Sequence, residues 1–223
     1  MQTDSVVAPK NKTRLILISA AGKLFAQNGY DGTSIRDICT EAKTNIAAIS
    51  YHFGDKIGLY KAVIKFGIDL EKKLFPLPIQ KDDEEPQCLL CRQIESILHR
   101  IKGSPESRWY DQIVKREILF PQKNIGNVID EYCIKPDYDM FTATLRLIEP
   151  TASQELINNC VFNLMAILSF KAIPAPHFKR VLFQNSNVKQ LGIKKTAQSV
   201  ASFVVAGLKK SVAENEIFEN EIV

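Results

Sequence analysis

Few residues in this chain have the types and spacing that chemistry needs, and the strongest set is not catalytic. Cys88-Leu89-Leu90-Cys91 has the spacing of half a zinc site, but Cys133, Cys160 and His99 are scattered singly and supply no second half. Thiols at i and i+3 of a helix share a face and pack, and no basic cluster surrounds these to favour their thiolates. With three histidines, no glycine-rich phosphate loop and no nucleophile elbow, there is no catalytic constellation. No enzyme activity, metal or cofactor is expected. The other set lies between Asn45 and Lys56. Asn45, Ala47, Ala48, Ser50 and Tyr51 fall on one short segment, with His52 and Lys56 just beyond. Small and hydrogen-bonding side chains of this kind suit base edges, giving modest direct readout and methyl contacts with thymine. Lys56 stands at a helix start, where backbone N–H groups and the helix dipole also favour an anion.

Two helices must hold that set. Ser34 is placed to cap the first, with Ile35, Ile38 and Cys39 forming its apolar face and Arg36, Asp37 and Glu41 outside it. Ala42-Lys43-Thr44 is long enough only for a turn. Asn45 caps a second helix, Ile46 to about Phe53, with Ile49 facing the core; Gly54-Asp55 stops it and caps the next. Two helices on so short a turn make a helix-turn-helix, whose second member can enter a DNA major groove.

These residues resemble the DNA-binding domain of TetR-family transcriptional regulators. The landmarks are Thr33, Ser34, Asp37, Ile38, Ala42, Tyr51-His52-Phe53 and Asp55-Lys56, and their spacing fits without a gap. Asn45-Ile46-Ala47-Ala48-Ile49, then Tyr51 and Phe53-Gly54, is similar to the CecR-like subgroup. Beyond this quarter of the chain, only the Arg116-Glu117 pair and the order of helices agree. The resemblance implies phosphate contacts by Thr33, Tyr51, His52 and Lys56. One residue departs from the pattern: the family has glycine after the turn alanine, and here it is Lys43. A lysine can take the φ > 0 geometry at a cost of about 1 kcal/mol, so a slightly altered turn is expected.

The 223 residues are 45% apolar and 24% charged, which suits a globular chain with a sizeable core. No apolar run is long enough to span a bilayer, and the N-terminus lacks a signal pattern, so a cytoplasmic location without membrane contact is expected. Five cysteines at irregular spacing argue for reduced thiols. The net charge of +4 is carried by residues 1–75, the remainder being balanced. The excess thus sits where phosphate contacts would need it.

In chain order, residues 1–12 read as a flexible arm, 13–58 as the helix-turn-helix domain, 59–75 as a connecting helix and 76–223 as a helical second domain. The first helix carries Leu17, Ala21, Leu24 and Phe25 on one face and stops at Asn28-Gly29. Leu59, Val63, Phe66 and Leu70 form the stripe of the connecting helix, and Pro76 to Pro86 is a break. Helices then follow over Gln87 to Lys102, from a cap at Ser104-Pro105-Glu106 to Phe120, from Lys123 to Glu149 with an interruption near Pro136, from a Thr151–Gln154 capping box to about Ala172, and from Lys194 to Ala213. Pro174 and Pro176 end the fourth of these, and His177 to Leu191 gives no clear pattern. No segment alternates as a strand. The fold class is all-α.

The helix from 153 to 172 is apolar on nearly every side, and the last, 194 to 213, has a small-residue stripe of Ala197, Ala201, Val204, Val205 and Leu208. Both could bury in the chain's own core. The resemblance implies instead a homodimer through these two helices, placing two readers in successive major grooves of double-stranded DNA, roughly 34–36 Å apart. It further implies repression and an unknown small-molecule effector bound in the second domain. Phe66, Leu70, Trp109, Ile113, Arg116, Phe120, Phe162 and Met165 are the expected lining, apolar with one cation, suiting an amphipathic or anionic compound. An aromatic core with Arg116 paired to a carboxylate would give the same pattern. The alternative to a regulator is an all-helical small-molecule-binding protein or enzyme that binds no DNA.

Overall fold

The computed structural model describes residues 9–103, 108–122, 126–172 and 191–221. The secondary-structure elements of the described residues are all helices, with no strand among them. Residues 1–8 of the expected 1–12 arm, the Ser104-Pro105-Glu106 cap, and the segment 173–190 with Pro174, Pro176 and His177 lie outside them. Contacts divide the chain into two compact units, Met1–Lys73 with Ser104–Cys133, and Leu74–Gly103 with Ile134–Val223. The segment Ser104–Cys133, expected within the second domain, therefore groups with the N-terminal unit.

The first unit contains α1 (Pro9–Asn28), α2 (Ile35–Ala42), α3 (Ile46–Phe53), α4 (Lys56–Leu74), α6 (Arg108–Leu119) and the short α7 (Gly126–Ile129). The first helix starts at Pro9, four residues before the expected point. Proline suits a first helical position because its missing N–H would have no intrahelical partner there. Leu17, Ile18, Ala21 and Phe25 from α1 meet Ile38 and Cys39 from α2 and Ile49 from α3 in one core. Helix α4 adds Leu59, Tyr60, Val63, Ile64 and Ile68, a face rotated from the expected stripe, which leaves Phe66 and Leu70 half-buried. Tyr110 and Ile113 of α6 complete this core.

Two glycines admit α6. A Cβ on Gly67 of α4 would lie 2.1 Å from the Tyr110 ring, and one on Gly22 of α1 would lie 2.7 Å from the Trp109 ring. Neither position has room for any larger residue, so both glycines act through close approach of a neighbouring aromatic side chain.

The second unit contains α5 (Pro86–Lys102), α8 (Lys135–Ile148), α9 (Gln154–Ala172) and α10 (Ile193–Glu221). Helix α5 packs on α8, α9 and α10, and α9 packs on α8 and α10. Leu90 and Ile94 of α5, Phe141 and Leu145 of α8, Ile157, Val161, Leu164 and Leu168 of α9, and the α10 stripe Ala197, Ala201, Val204, Val205 and Leu208 make the core. The small-residue stripe therefore belongs to the unit's own packing. Inside this core Thr144 Oγ1 donates to Gln93 Oε1 at 2.9 Å, pairing two buried polar groups.

Local signals placed most helix ends, with three differences. Near Pro136 the helix is not broken but widened: a π-helical turn, Asp130–Ile134, runs directly into α8, with Pro136 in its first turn. The cap of α9 is Ser153, whose Oγ accepts from Leu156 N at 3.2 Å. Thr151, the expected cap, donates to Glu149 Oε1 instead, and Gln154 is held by Arg146. The last helix also continues past Ala213, since glutamate sustains a helix where apolar periodicity has ended.

Candidate nucleic-acid interface

The two motif helices are fixed by their caps. Ser34 Oγ accepts from Asp37 N at 3.1 Å, while Asp37 Oδ2 accepts from Ser34 N at 3.1 Å and from Ser34 Oγ at 2.6 Å. This reciprocal capping box satisfies donors that a helix start leaves open. The hydrogen bonds from Ser34 hold the Asp37 carboxyl below its usual range. Asn45 Oδ1 accepts from Ala48 N at 2.9 Å, opening α3. Asp55 Oδ1 accepts from Gly58 N at 2.7 Å, opening α4.

The turn between them closes without glycine. Lys43 has φ 51° and ψ 45°, in the left-handed region, and its N–H turns back to the Cys39 and Thr40 carbonyls. Thr44 N then donates to Cys39 O at 2.9 Å. This is the hydrogen-bonding of an ordinary left-handed helix ending, so the expected alteration of the turn does not occur.

What α3 presents outward follows from Ile49, which is buried. Asn45, Ile46, Ala47, Ser50 and Tyr51 are exposed, Ile46 by 50% and Tyr51 by 67%. Ala48 is half-buried and packs against the domain core, so it lies at the edge of the outward face. Ile46 was missed by sequence reasoning because an isoleucine in a short apolar run is ordinarily assigned to the core. Its position beside a cap, three residues before Ile49, was the available signal. His52 and Lys56 are half-buried at the other end of α3. The Lys56 ammonium lies 4.3 Å from the centre of the Tyr30 ring, and the Arg14 guanidinium lies 5.5 Å from that of Phe53. Both cations are thus held by aromatic faces at this edge.

Thr33 is turned inward. It is 1% exposed, and its hydroxyl donates to Gly29 O at 2.8 Å and Leu24 O at 3.2 Å. Its side chain finishes the end of α1 and does not reach the surface.

The residues expected to line a ligand site divide between the units. Ile113 is buried in the first core, and Trp109 stacks on Phe66 with ring centres 6.4 Å apart. Arg116 is not a free cation, and among the described residues no carboxylate pairs with it. Its guanidinium donates to Phe25 O at 2.9 Å and Ala26 O at 3.2 Å, carbonyls at the end of α1. Leu70 is half-buried and Phe120 is exposed beyond the end of α6. Phe162 and Met165 belong to the second unit, Phe162 being 72% exposed and Met165 half-buried. An open depression of about 620 Å³ in that unit, lined by 76–82 and Arg92, contains none of the eight.

Among the described residues no three histidine, cysteine, aspartate or glutamate side chains cluster in a way that could hold a metal. Their five cysteines carry free thiols, and burial pushes Cys91 and Cys160 up. No described helix is long and apolar enough to cross a membrane.

Comparison with known proteins agrees with this geometry. The signature described as bacterial regulatory proteins, tetR family, matches residues 17–63, and that of the C-terminal domain of the HTH-type transcriptional dual regulator CecR matches residues 86–208. A Bacillus subtilis (strain 168) protein described as "Probable HTH-type transcriptional regulator YttP" is 29% identical over 130 residues, 58% of this chain and 61% of that one. The HTH-type transcriptional regulator HbdR of Aromatoleum sp. (strain CIB) is 31% identical over 93 residues, 42% of this chain and 34% of its own length. The chain therefore spans about three fifths and one third of these relatives. The crystal structure of HlyIIR, a hemolysin II transcriptional regulator, is 25% identical with a TM-score of 0.54, covering 89% of this chain and 97% of that one. A Pseudomonas aeruginosa PAO1 protein shares the fold with a TM-score of 0.62 at 18% identity, over 95% of this chain and 96% of that one. The CecR-type signature alone spans more than half of the sequence, and the motif with its capped, outward-facing α3 falls inside the other, so the chain belongs to the TetR family of bacterial regulatory proteins.

Proposed function

We propose that the protein acts as a homodimeric repressor that reads a pseudo-palindromic operator through α3 and is released by a small amphipathic effector. The observation that carries the reading is the outward face of α3: Asn45, Ile46, Ala47, Ser50 and Tyr51 are exposed around a buried Ile49. No member of that face is charged. Specificity then comes from methyl contacts with thymine by Ile46 and Ala47 and from hydrogen bonds by Asn45 and Ser50, favouring A·T-containing half-sites. Ser34, Tyr51, His52 and Lys56 fix the register on phosphates. Thr33 contributes by shaping the end of α1.

A single short helix covers few base pairs, and a two-fold pair of them gains both affinity and sequence length. The dimer reading is supported by what the second unit leaves outside. Phe162, Ala166 and Phe170 form one exposed face of α9, and Phe203, Ala206 and Gly207 one exposed face of α10. Large apolar side chains beside small ones suit the close approach of another helix pair. These faces replace the α10 stripe as the proposed interface.

Release by a ligand requires that the ligand bind the non-reading state more tightly than the reading one. Helix α6 is the proposed responder, because Arg116 is bonded to the end of α1 and Glu117 to Tyr60 of α4. An amphipathic compound near Phe66, Leu70 and Trp109 would act on both.

The test is selection of bound fragments from a random DNA pool by the purified protein at moderate salt. Enrichment of an A·T-containing pseudo-palindrome with half-sites about one helical turn apart is the expected result. A folded protein that enriches no sequence would remove the α3 reading, and a single unpaired half-site would remove the dimer.

A further inference from the structure

We propose that Lys43, in the turn between α2 and α3, is a DNA-phosphate contact that anchors the N-terminal end of the reading helix. The inference rests on the reading of α3 as the recognition helix. It begins with a mismatch between residue and backbone. At φ 51° and ψ 45° the turn needs a left-handed residue, a conformation that glycine enters without steric penalty and lysine does not. The closing bonds of the turn come from the Lys43 and Thr44 backbone N–H groups and gain nothing from a side chain. The lysine side chain therefore has no role in making the turn.

Nor does it have a role in packing. Lys43 is exposed and joins no core cluster. Among the described residues no ion pair or side-chain hydrogen bond holds its ammonium, although Glu41 stands two positions away. Lys56 and Arg14, by contrast, lie against the Tyr30 and Phe53 rings.

Its place gives the charge a use. Lys43 stands two residues before Asn45, the cap of α3. A recognition helix enters the groove by its N-terminal residues, so the turn that precedes it stands at the groove's edge, beside the phosphates. Helix α3 has no lysine or arginine of its own, and Lys56 marks only its far end. Lys43 supplies the missing cation at the near end, reinforced by the open N–H groups of the first turn of α3. A contact of this kind strengthens binding to every sequence alike.

The experiment uses the full chain and two probes, the selected operator duplex and a mixed-sequence duplex. Wild type is compared with K43G, K43R and a control on the reading face, Y51A. Dissociation constants are measured across salt between about 50 and 200 mM, and each variant's melting temperature is recorded. The expected result is that K43G melts higher than wild type yet binds both duplexes more weakly. Its log–log salt slope on the operator should be shallower by about 1.8, the value for two lost phosphate contacts, one from each subunit. K43R should keep the wild-type slope. If K43G keeps wild-type affinity and slope while Y51A weakens binding, the Lys43 contact is overturned and α3 stands. If neither K43G nor Y51A changes binding, the reading of α3 itself is overturned, and this inference with it.

Discussion

The Tyr60 hydroxyl donates a 2.6 Å hydrogen bond to Glu117 Oε1 inside the first unit, joining α4 to α6 across 57 positions of sequence. Glu117 is buried, and its second oxygen accepts from Gln122 N at 3.1 Å. Burial and the adjacent Glu117 push the Tyr60 hydroxyl far above its usual range, so it keeps its proton and remains a donor. Tyr60→Phe leaves a buried carboxylate oxygen without that donor, which costs about 1–3 kcal/mol. Denaturant unfolding should show this loss at neutral pH. The same shift carries a pH dependence. The raised folded value means that the contribution is complete below the ordinary tyrosine range and fades as pH rises above about 10, where the unfolded chain ionises first. The Tyr60→Phe deficit should therefore shrink in alkaline buffer, and an unchanged deficit would count against the bond.

Arg116 makes the companion tie. Its guanidinium reaches two successive carbonyls in the last turn of α1, Ala26 O and Phe25 O, the second of which also accepts from Gly29 N at 2.9 Å. Arg116→Ala should destabilise the first unit by about 1–2 kcal/mol, with the gain in amide exchange centred on the last turn of α1. Arg116→Lys should not restore it, since a point ammonium cannot reproduce the planar fork. Normal stability in Arg116→Ala, with loss only of ligand response, would return Arg116 to the ligand site that its sequence context suggests.

Asp37 offers a test of the motif's entry. Its carboxyl is held low by the two hydrogen bonds from Ser34. For an acid lowered by folding, the stabilisation is present above the unfolded value near pH 3.9 and is lost as pH falls through the folded one. Ser34→Ala should therefore lower the melting temperature most at pH 7 and by less in strong acid, where only the cap bond from Asp37 N to Ser34 Oγ is lost. A pH titration of Asp37 by NMR should show its midpoint moving up toward the ordinary range in the variant. An unmoved midpoint would mean that the capping box is not what holds it.

How far each feature was legible depended on the distance over which its cause acts. Ser34, Asn45 and Asp55 cap within three residues of their own positions, so the motif could be read along the chain. The grouping of α6 with α1 and α4 could not. Gly22 beneath Trp109 and Gly67 beneath Tyr110 look in sequence like neutral interior glycines, and only the fold reveals that each makes room for an aromatic ring about 40 to 90 positions away. Thr151 and Ser153 show the limit even of local signals, because both hydroxyls stand at the start of α9 and only backbone geometry decides which caps. The small-residue stripe of α10, suited in sequence to a partner helix, lies in the unit's own core for a related reason. An all-round apolar helix announces two contacts without saying which contact is the chain's own.

That distinction can be measured. Phe162 and Phe203 are exposed by 72% and 70% on helices whose other faces are buried. Phe162→Glu and Phe203→Glu should leave circular dichroism and the melting temperature of the isolated subunit nearly unchanged, since neither side chain fills the core. Sedimentation should show a shift from dimer toward monomer, and operator affinity should fall with it. If both variants remain dimeric, the interface lies on another face. A charged residue in a buried interface costs several kcal/mol, enough to make the shift unambiguous.

The last prediction separates two neighbouring alanines on α3. Ala47 is exposed, and Ala48 is half-buried against the core, although sequence spacing placed both on the reading face. Enlarging Ala48 to leucine forces extra atoms into a packed edge, which costs about 1–3 kcal/mol and shifts α3 as a body. Weaker binding to every DNA sequence should accompany a lower melting temperature. Enlarging Ala47 to leucine meets only solvent in the free protein, so the melting temperature should hold. The change should instead appear in fragment selection, as a different preferred base at the positions facing the first turn of α3. The reverse outcome, a stable Ala48→Leu with altered preference and an Ala47→Leu that selects the wild-type operator, would rotate the reading face by one residue and remove Ile46 from it.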